Sequence, residues 1–235
     1  MPAMVRGYEP PFEVRQEHRA DEKRRIGKAA AALLRTGEIV FLDTGTTTLE
    51  VARELRDRHD LTVVTPSLHI AQLLSEAPGV RCLSLGGHVR AGENATFGAL
   101  TLRGLENFNA DVSVIAVGGI SVDGGITEYD LEAAAVTRAQ IRRARRVIVV
   151  ADQNKLGQVT FAGVTGIEVI DVLVTCADPD HGELVALERA GITVLNVEAL
   201  LGSLSSADEP GGSVSSAGSD VRAERPSDAG GSEDS

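Results

Sequence analysis

The sequence alternates short apolar runs, rich in Val, Ile and Leu, with amphipathic segments at helical spacing. The apolar runs predict strands at residues 38–43, 61–65, 80–85, 111–117, 146–152, 169–175 and 193–197. The amphipathic segments predict helices at residues 20–35, 46–58, 67–77, 98–107, 130–143 and 182–190. Strands that alternate with helices are typical of crossover units. The predicted fold class is therefore α/β, a doubly wound and mainly parallel sheet with helices on both faces.

Composition agrees with a buried parallel sheet and excludes several function classes. Hydrophobic residues make up 43% of the chain, aromatic residues only 3%, and Trp is absent, so the core consists of small aliphatic side chains, as in strands covered on both faces. The net charge of −11 repels a polyanion and excludes a free-standing nucleic-acid binder. No apolar stretch has the length of a membrane span or a signal core. We expect a cytoplasmic protein with no membrane partner.

The two ends of the chain differ from its middle. Residues 1–18 are polar, contain Pro10 and Pro11, and are predicted to be an extended remnant of a linker. Residues 19–200 contain the predicted strands and helices and form one domain. Residues 201–235 turn to Ser, Gly, Asp and Glu and have too few apolar side chains to order themselves, which predicts a disordered acidic tail. Cys82 and Cys176 lie singly in apolar runs and are predicted to be buried free thiols.

Polar residues follow the predicted strands, where ligands of an open parallel sheet bind. Residues 43–48 (DTGTTT) place a Gly and a helix start directly after a strand, an arrangement that offers free N–H groups to a phosphate. An isolated run of Thr at a helix start is more often a simple cap, and Thr46 or Thr47 would then only cap the helix. Ser67, after the next strand, is more often a cap than a ligand contact.

Two further strand ends carry cations. Residues 86–90 (GGHVR) combine two glycines with Arg90, which either binds an anion or is an ordinary surface arginine. Residues 151–155 (ADQNK) end in Lys155, one of only three lysines, with Lys23 and Lys28. The sequence has no Walker, dinucleotide-binding, nucleophile-elbow or HExxH motif, and its His residues are scattered. We therefore expect no cofactor and no metal.

Taken together, five blocks of the sequence resemble the effector domain of DeoR-type transcriptional regulators. They are FLDTGTTTLEVARELRD, LTVVTPSLHIAQLL, VRCLSLGGHVRAG, GGITEYDLEAAAVTRAQIRRARRVIVVADQNKLG and IDVLVT, in family order between about Pro11 and Val197. The resemblance implies the fold of ribose-5-phosphate isomerase and glucosamine-6-phosphate deaminase, with a sugar-phosphate site. It implies phosphate contacts from Gly45, Thr46, Thr47, Thr48 and Lys155. It implies sugar contacts from Asp43, Ser67, Gly86, Gly87, Arg90, Gly125, Glu132 and Asp152.

Two positions depart from the family pattern. Pro66 stands where the family has Asn, which removes an amide from the site, and Asp130 replaces another Asn and adds a negative charge. Both changes bear on which sugar phosphate is bound.

The resemblance implies the effector-sensing domain of a repressor of carbohydrate metabolism that binds a phosphorylated sugar and forms a homo-oligomer. Only one helix is predicted before the first strand, so we expect DNA binding only through a missing helix-turn-helix domain or a partner subunit. The alternative is a sugar-phosphate isomerase or an amino-sugar-phosphate deaminase. The helix that supplies the base in such isomerases reads Thr137-Arg138-Ala139 here, so the base position is Ala and we expect no enzyme activity.

Overall fold

The computed structural model describes residues 9–199. Its strands are β1 (Ile39–Leu42), β2 (Leu61–Thr65), β3 (Val80–Ser84), β4 (His88–Arg90), β5 (Ala95–Phe97), β6 (Ala110–Ala116), β7 (Gly119–Ser121), β8 (Gly125–Glu128), β9 (Ala144–Val150), β10 (Ala162–Thr165), β11 (Val172–Thr175) and β12 (Thr193–Asn196). Its α-helices are α1 (Phe12–Glu17), α2 (Ala20–Ala32), α3 (Thr46–Leu55), α4 (Leu68–Ser75), α5 (Ala99–Glu106), α6 (Leu131–Arg142) and α7 (Gly182–Arg189). Short 3₁₀ turns span Gln153–Lys155 and Ile167–Val169.

Seven strands form one parallel sheet in the order β12-β11-β9-β6-β1-β2-β3. From β1 the chain moves outward through β2 to β3, and from β6 it moves outward in the opposite direction through β9 and β11 to β12. The direction of winding therefore reverses between β1 and β6. In open α/β sheets such a reversal leaves a crevice at the carboxyl ends of the two strands, where ligands bind.

Helices cover both faces of this sheet, as the sequence predicts. Successive side chains of a strand point to opposite faces, so Val40 and Leu42 of β1 pack with α2, α3 and α4, whereas Phe41 packs with α5 and α6. A further cluster joins β9 and β11 to α6 and α7. The predicted doubly wound α/β fold is confirmed.

A glycine lets α2 and α3 approach each other closely. A Cβ atom built at Gly27 would lie 2.7 Å from the carbonyl carbon of Glu50, so no larger residue fits without a shift of backbone. The helices run in the same direction, because α2 ends where β1 begins and α3 begins where β1 ends. Lys23, one turn before Gly27, therefore lies level with Thr46, one turn before Glu50.

The extended conformation predicted for residues 1–18 is wrong for Phe12–Glu17, which form α1. Phe12 is buried and stacks on His69 at 4.4 Å between ring centroids. Apolar burial therefore holds a segment whose polar sequence and paired prolines favour an extended chain. Residues 1–8 and the predicted tail at 201–235 lie outside the described residues.

Short antiparallel strands account for the other differences from the prediction. Residues 118–125, which are rich in glycine and lie outside every predicted strand and helix, contribute to the β7–β8 hairpin, which β10 extends to three strands. Strands β4 and β5 form a separate hairpin. Strands of three or four residues are too short for an alternating pattern to identify them. Cys176 is buried as predicted, whereas Cys82 is half-buried, and both thiols are free.

Candidate functional site

A cavity of about 410 Å³ lies at the carboxyl edge of the sheet, at the reversal between β1 and β6. The residues that follow β1, β6 and β9 form its base, and β8, the start of α6 and the segment from Glu9 to Lys23 form its sides. The cavity therefore occupies the position at which doubly wound sheets bind ligands.

The turn after β1 presents the start of α3 to the cavity. Gly45 is the N-cap residue of α3, and its φ of 146° is one that L side chains rarely adopt. No side chain caps the helix, so the cap role considered for Thr46 or Thr47 is wrong. Thr46 and Thr47 line the cavity, whereas the hydroxyl of Thr48 donates to the Gly45 carbonyl at 3.1 Å. The N–H groups of the first helical turn have no acceptor within the helix, and they are available to a ligand.

Two carboxyl groups line the cavity, Asp43 on its floor and Glu128 of β8 on its side. Asp43 is 4% exposed and accepts a hydrogen bond from the Thr137 hydroxyl at 3.3 Å. Burial raises the pKa of Asp43 to about 7, against the opposing effect of its hydrogen bonds from Thr44 and Thr137. Glu128 accepts a hydrogen bond from the Gly118 amide. Burial and the neighbouring Asp43 raise the pKa of Glu128 well above its usual value.

Each arginine in the cavity wall is held by two carboxylates. Arg90 contacts Asp130 through both guanidinium Nη atoms and Glu132 at 2.8 Å, and its guanidinium lies 3.9 Å from the centroid of the Phe97 ring. Burial opposes ionisation of Asp130, but the hydrogen bonds and positive charge of Arg90, together with the hydrogen bonds from the Ala133 and Glu132 amides, outweigh it and lower the pKa of Asp130. Thus the negative charge that Asp130 adds is matched by Arg90.

Arg15 of α1 is held in the same way. It pairs with Glu9 at 2.9 Å and with Glu93 in the loop between β4 and β5. Burial raises the pKa of Glu9, partly offset by the positive charge of Arg15. The pair with Glu93 fastens the N-terminal segment to the β4–β5 hairpin.

Lys23 and Lys155 also line the cavity, and within residues 9–199 neither has a carboxylate at salt-bridge distance. The ammonium of Lys155 lies 5.1 Å from the centroid of the Tyr129 ring. Lys23 is 4% exposed and donates to the Arg15 carbonyl. Burial lowers the pKa of Lys23, and the neighbouring Asp152 partly offsets this.

The structure brings about half of the predicted site residues together. The cavity is lined by Asp43, Gly45, Thr46, Thr47, Arg90, Asp152 and Lys155. The other predicted residues do not line it and are Thr48, Ser67, Gly86, Gly87, Gly125 and Glu132.

Four of these outlying residues have clear structural contacts. Ser67 caps α4 by accepting a hydrogen bond from the Ile70 amide. The Gly86 carbonyl accepts from the Thr101 hydroxyl, and a Cβ atom at Gly87 would meet that hydroxyl at 2.1 Å. Gly125 has a φ of 69° at the start of β8, where a Cβ atom would meet the Thr165 carbonyl oxygen at 2.2 Å.

Sequence reasoning missed a second group of cavity residues, which are Glu9, Arg15, His18, Lys23, Glu93, Glu128 and Tyr129. Most of them reach the cavity through α1 and the β8 hairpin, the elements that the sequence did not predict. For Lys23 a signal existed, because this lysine shares a helical face with the buried Ile26 and Ala30. Within residues 9–199 no group of three His, Cys, Asp or Glu side chains is placed to hold a metal ion. None of the helices in that range is long and apolar enough to cross a membrane.

A doubly wound α/β domain with a polar cavity at its sheet reversal defines a class of small-molecule-binding domains. Residues 18–177 match the family model of the DeoR C-terminal sensor domain. The chain belongs to this family.

Its relatives among characterised proteins are transcription regulators. The chain is 34% identical to the HTH-type transcriptional repressor GlcR of Bacillus subtilis, over 76% of this chain and 69% of that protein. It is 30% identical to the glycerol-3-phosphate regulon repressor of Escherichia coli, over 72% of this chain and 67% of that protein. It is also 30% identical to the HTH-type transcriptional regulator GlpR of Haloferax volcanii, over 83% and 76%.

Solved structures show more distant likenesses. The ribose 5-phosphate isomerase A of Methanocaldococcus jannaschii aligns with a TM-score of 0.44 and 15% identity, over 58% of this chain and 54% of that one. The sorbitol operon regulator SorC of Klebsiella pneumoniae aligns with a TM-score of 0.43 and 16% identity, over 68% and 70%. Neither likeness is close enough to bear on function.

Proposed function

We propose that the chain is the effector domain of a DeoR-type repressor of carbohydrate metabolism and that its effector is a phosphorylated sugar. The observation that carries this proposal is that the first turn of α3 and Lys155 face one cavity. Free N–H groups and the helix dipole favour an anion at a helix start. An ammonium adds a charge-assisted hydrogen bond. A phosphoryl group satisfies both partners at once.

The rest of the cavity suits the sugar. Its volume of about 410 Å³ falls within the range of about 300–1,000 Å³ that is usual for small-molecule sites. Asp43 and Asp152 accept hydrogen bonds from hydroxyl groups, and Arg90 donates them. We therefore assign the phosphate to Gly45, Thr46, Thr47 and Lys155, and the sugar to Asp43, Arg90 and Asp152. The other six residues that the resemblance implies are proposed to support this wall without touching the ligand.

Effector binding has a regulatory consequence only if it favours one state of the regulator over another. We expect that regulator to be a homo-oligomer that reaches DNA through a helix-turn-helix domain or a partner subunit. The ion pair between Arg15 and Glu93 joins the N-terminal segment to the cavity wall, so a ligand that displaces it alters the attachment of that segment. Binding of the sugar phosphate is thereby coupled to the conformation of the rest of the regulator.

Two substitutions test the phosphate assignment. We expect Lys155→Met to weaken sugar-phosphate binding by about 10-fold or more, because a hydrogen bond to a charged group contributes about 1.5–3 kcal/mol. We expect Thr46→Ala to weaken it by a smaller factor, because the amide remains. Isothermal titration calorimetry with a panel of pentose and hexose phosphates measures both. The matched controls are Lys28→Met and Thr36→Ala, at exposed positions. Equal affinities in wild type and both site variants would contradict the assignment.

A sugar-phosphate isomerase or an amino-sugar-phosphate deaminase is the second candidate, because Asp43 and Glu128 line the cavity with raised pKa values. Such values are typical of acid–base catalysts. The position that the resemblance assigns to the isomerase base is Ala139, which is buried and has no ionisable group. We expect coupled assays with ribose 5-phosphate and glucosamine 6-phosphate to give background rates. Turnover that Asp43→Asn or Glu128→Gln abolishes would replace our proposal with an enzyme.

A further inference from the structure

The four cations of the cavity wall fall into two kinds. Arg15 and Arg90 are each neutralised by two carboxylates, whereas in the described residues Lys23 and Lys155 have no carboxylate at salt-bridge distance. An incoming anion has to displace existing partners to reach either arginine. The two ammonium groups need no such exchange, so the positive charge available to a ligand lies at the lysines.

Lys23 and Lys155 approach the cavity from the same side of the α3 turn, because α2 packs against α3 and also against β9, the strand that precedes Lys155. The close approach of α2 and α3 at Gly27 sets Lys23 level with Thr46, and both residues line the cavity. An ammonium has three N–H donors, and among residues 9–199 the Lys23 ammonium donates one hydrogen bond, to the Arg15 carbonyl. Two donors therefore remain on a side chain that is 4% exposed.

Burial of a charged lysine reduces the stability of a protein unless another group compensates the charge. The simplest structural explanation is an ion pair with Asp152, whose negative charge does favour the protonated form of Lys23. However, the Asp152 carboxylate accepts a hydrogen bond from the Asn154 amide in the 3₁₀ turn, and it lies beyond salt-bridge distance of Lys23. Asp152 thus compensates the charge only in part, and an anion in the cavity would complete the compensation.

We infer that Lys23 is a second phosphate-binding residue, which together with Lys155 and the first turn of α3 encloses the phosphoryl group of the effector. This inference rests on the proposed function and adds to it a residue from the N-terminal segment. Two ammonium groups match the two negative charges of a phosphate monoester. The site should therefore select phosphorylated sugars over neutral sugars and over sugars with a single carboxylate.

Calorimetry of three variants tests the inference. We expect Lys23→Met to weaken binding of sugar phosphates by about 10- to 100-fold, as Lys155→Met does. The matched control is Lys28→Met, which removes an exposed lysine from the same helix. Methionine keeps the length of the aliphatic chain, and thermal melting establishes whether each variant is folded.

A second measurement needs no substitution at Lys23. The chain has three lysines, so selective ¹³Cε labelling of lysine gives three side-chain NMR signals. Spectra of Lys28→Met and Lys155→Met assign two of them, and the third is Lys23. On titration with inorganic phosphate and with ribose 5-phosphate, we expect the signals of Lys23 and Lys155 to move and that of Lys28 to stay.

The outcomes separate the inference from the function on which it rests. A shift of the Lys155 signal alone, together with unchanged affinity in Lys23→Met, overturns the inference and leaves the proposed function intact. Absence of any shift, with no calorimetric binding of inorganic phosphate or of pentose and hexose phosphates to the wild type, overturns both. Shifts of both lysine signals, with weakened binding in both lysine variants, support both.

Discussion

Replacing Asp43 by Asn is expected to stabilise the protein at alkaline pH. Asp43 is almost fully buried, and its pKa rises from 3.8 to about 7 because burial disfavours the carboxylate. The Asn side chain has nearly the same shape, cannot ionise, and still accepts the hydrogen bond from Thr137. Chemical denaturation at several pH values should therefore give a higher free energy of unfolding for the variant than for the wild type, and this difference should grow with pH.

The sign and the pH window follow from proton linkage. Between pH 3.8 and about 7 the unfolded chain loses the Asp43 proton while the folded chain keeps it, so the wild type loses stability as pH rises. Above about pH 7 the loss is complete. One unit of pKa corresponds to about 1.4 kcal/mol, so from pH 5 to pH 8 the gap should grow by about 2–3 kcal/mol. Asp57→Asn, at an exposed position, should show a much smaller change. A gap that is the same at both pH values would mean that Asp43 ionises in the folded protein as it does in water.

A protein that keeps an ionisable group buried at this cost usually uses it. Asp43 lies at the end of β1 beside the α3 turn, on the floor of the cavity. We therefore expect Asp43→Asn to be more stable at pH 8 and yet to bind sugar phosphate less well than the wild type. Stabilisation without any loss of binding would remove Asp43 from the assigned sugar contacts.

The sheet and half of the site could be predicted because their signals are local. The run that ends at Leu42 is apolar and the DTGTTT segment follows it, so strand, turn and helix start can be located from neighbouring residues. The carboxyl-edge rule then places Asp43, Thr46 and Lys155 at one end of the sheet without any structure. Parallel strands buried on both faces give the clearest apolar runs, and these seven were all predicted.

The remaining half depends on contacts between distant parts of the chain. Helix α1 has only six residues, and what holds it is the stacking of Phe12 on His69 and the ion pair from Arg15 to Glu93. Neither pairing leaves a periodic signal in the sequence. Glu128 belongs to a four-residue strand that follows a glycine-rich stretch, where the sequence predicted neither a strand nor a helix. Thus the residues that close the cavity were less predictable than those that form its base.

Replacing Gly45 by Ala is expected to destabilise the protein and to weaken effector binding. Gly45 has a φ of 146°, and a non-Gly residue in such a conformation costs about 1–3 kcal/mol. A Cβ atom would also lie 2.9 Å from the Cβ of Ala116 on the neighbouring strand β6, and relief of that contact requires the turn to move. Thermal melting should show a decrease of about 5–10 °C. Calorimetry should show at least about a 10-fold loss of affinity, because the amides of Thr46 and Thr47 move with the turn.

Gly37→Ala is the control that separates the loss of stability from the loss of effector binding. Gly37 also has a positive φ, of 86°, but a Cβ atom there would have no atom within 4 Å, and the residue lies in the loop before β1, at the opposite edge of the sheet from the cavity. The Gly37→Ala variant should therefore lose about 1 kcal/mol of stability and bind sugar phosphate with the affinity of the wild type. If Gly45→Ala lost stability and yet bound sugar phosphate like Gly37→Ala, the α3 turn would not be the phosphate site. The lysines alone would then hold the anion. Lys23→Met and Lys155→Met would each weaken sugar-phosphate binding more than Gly45→Ala does.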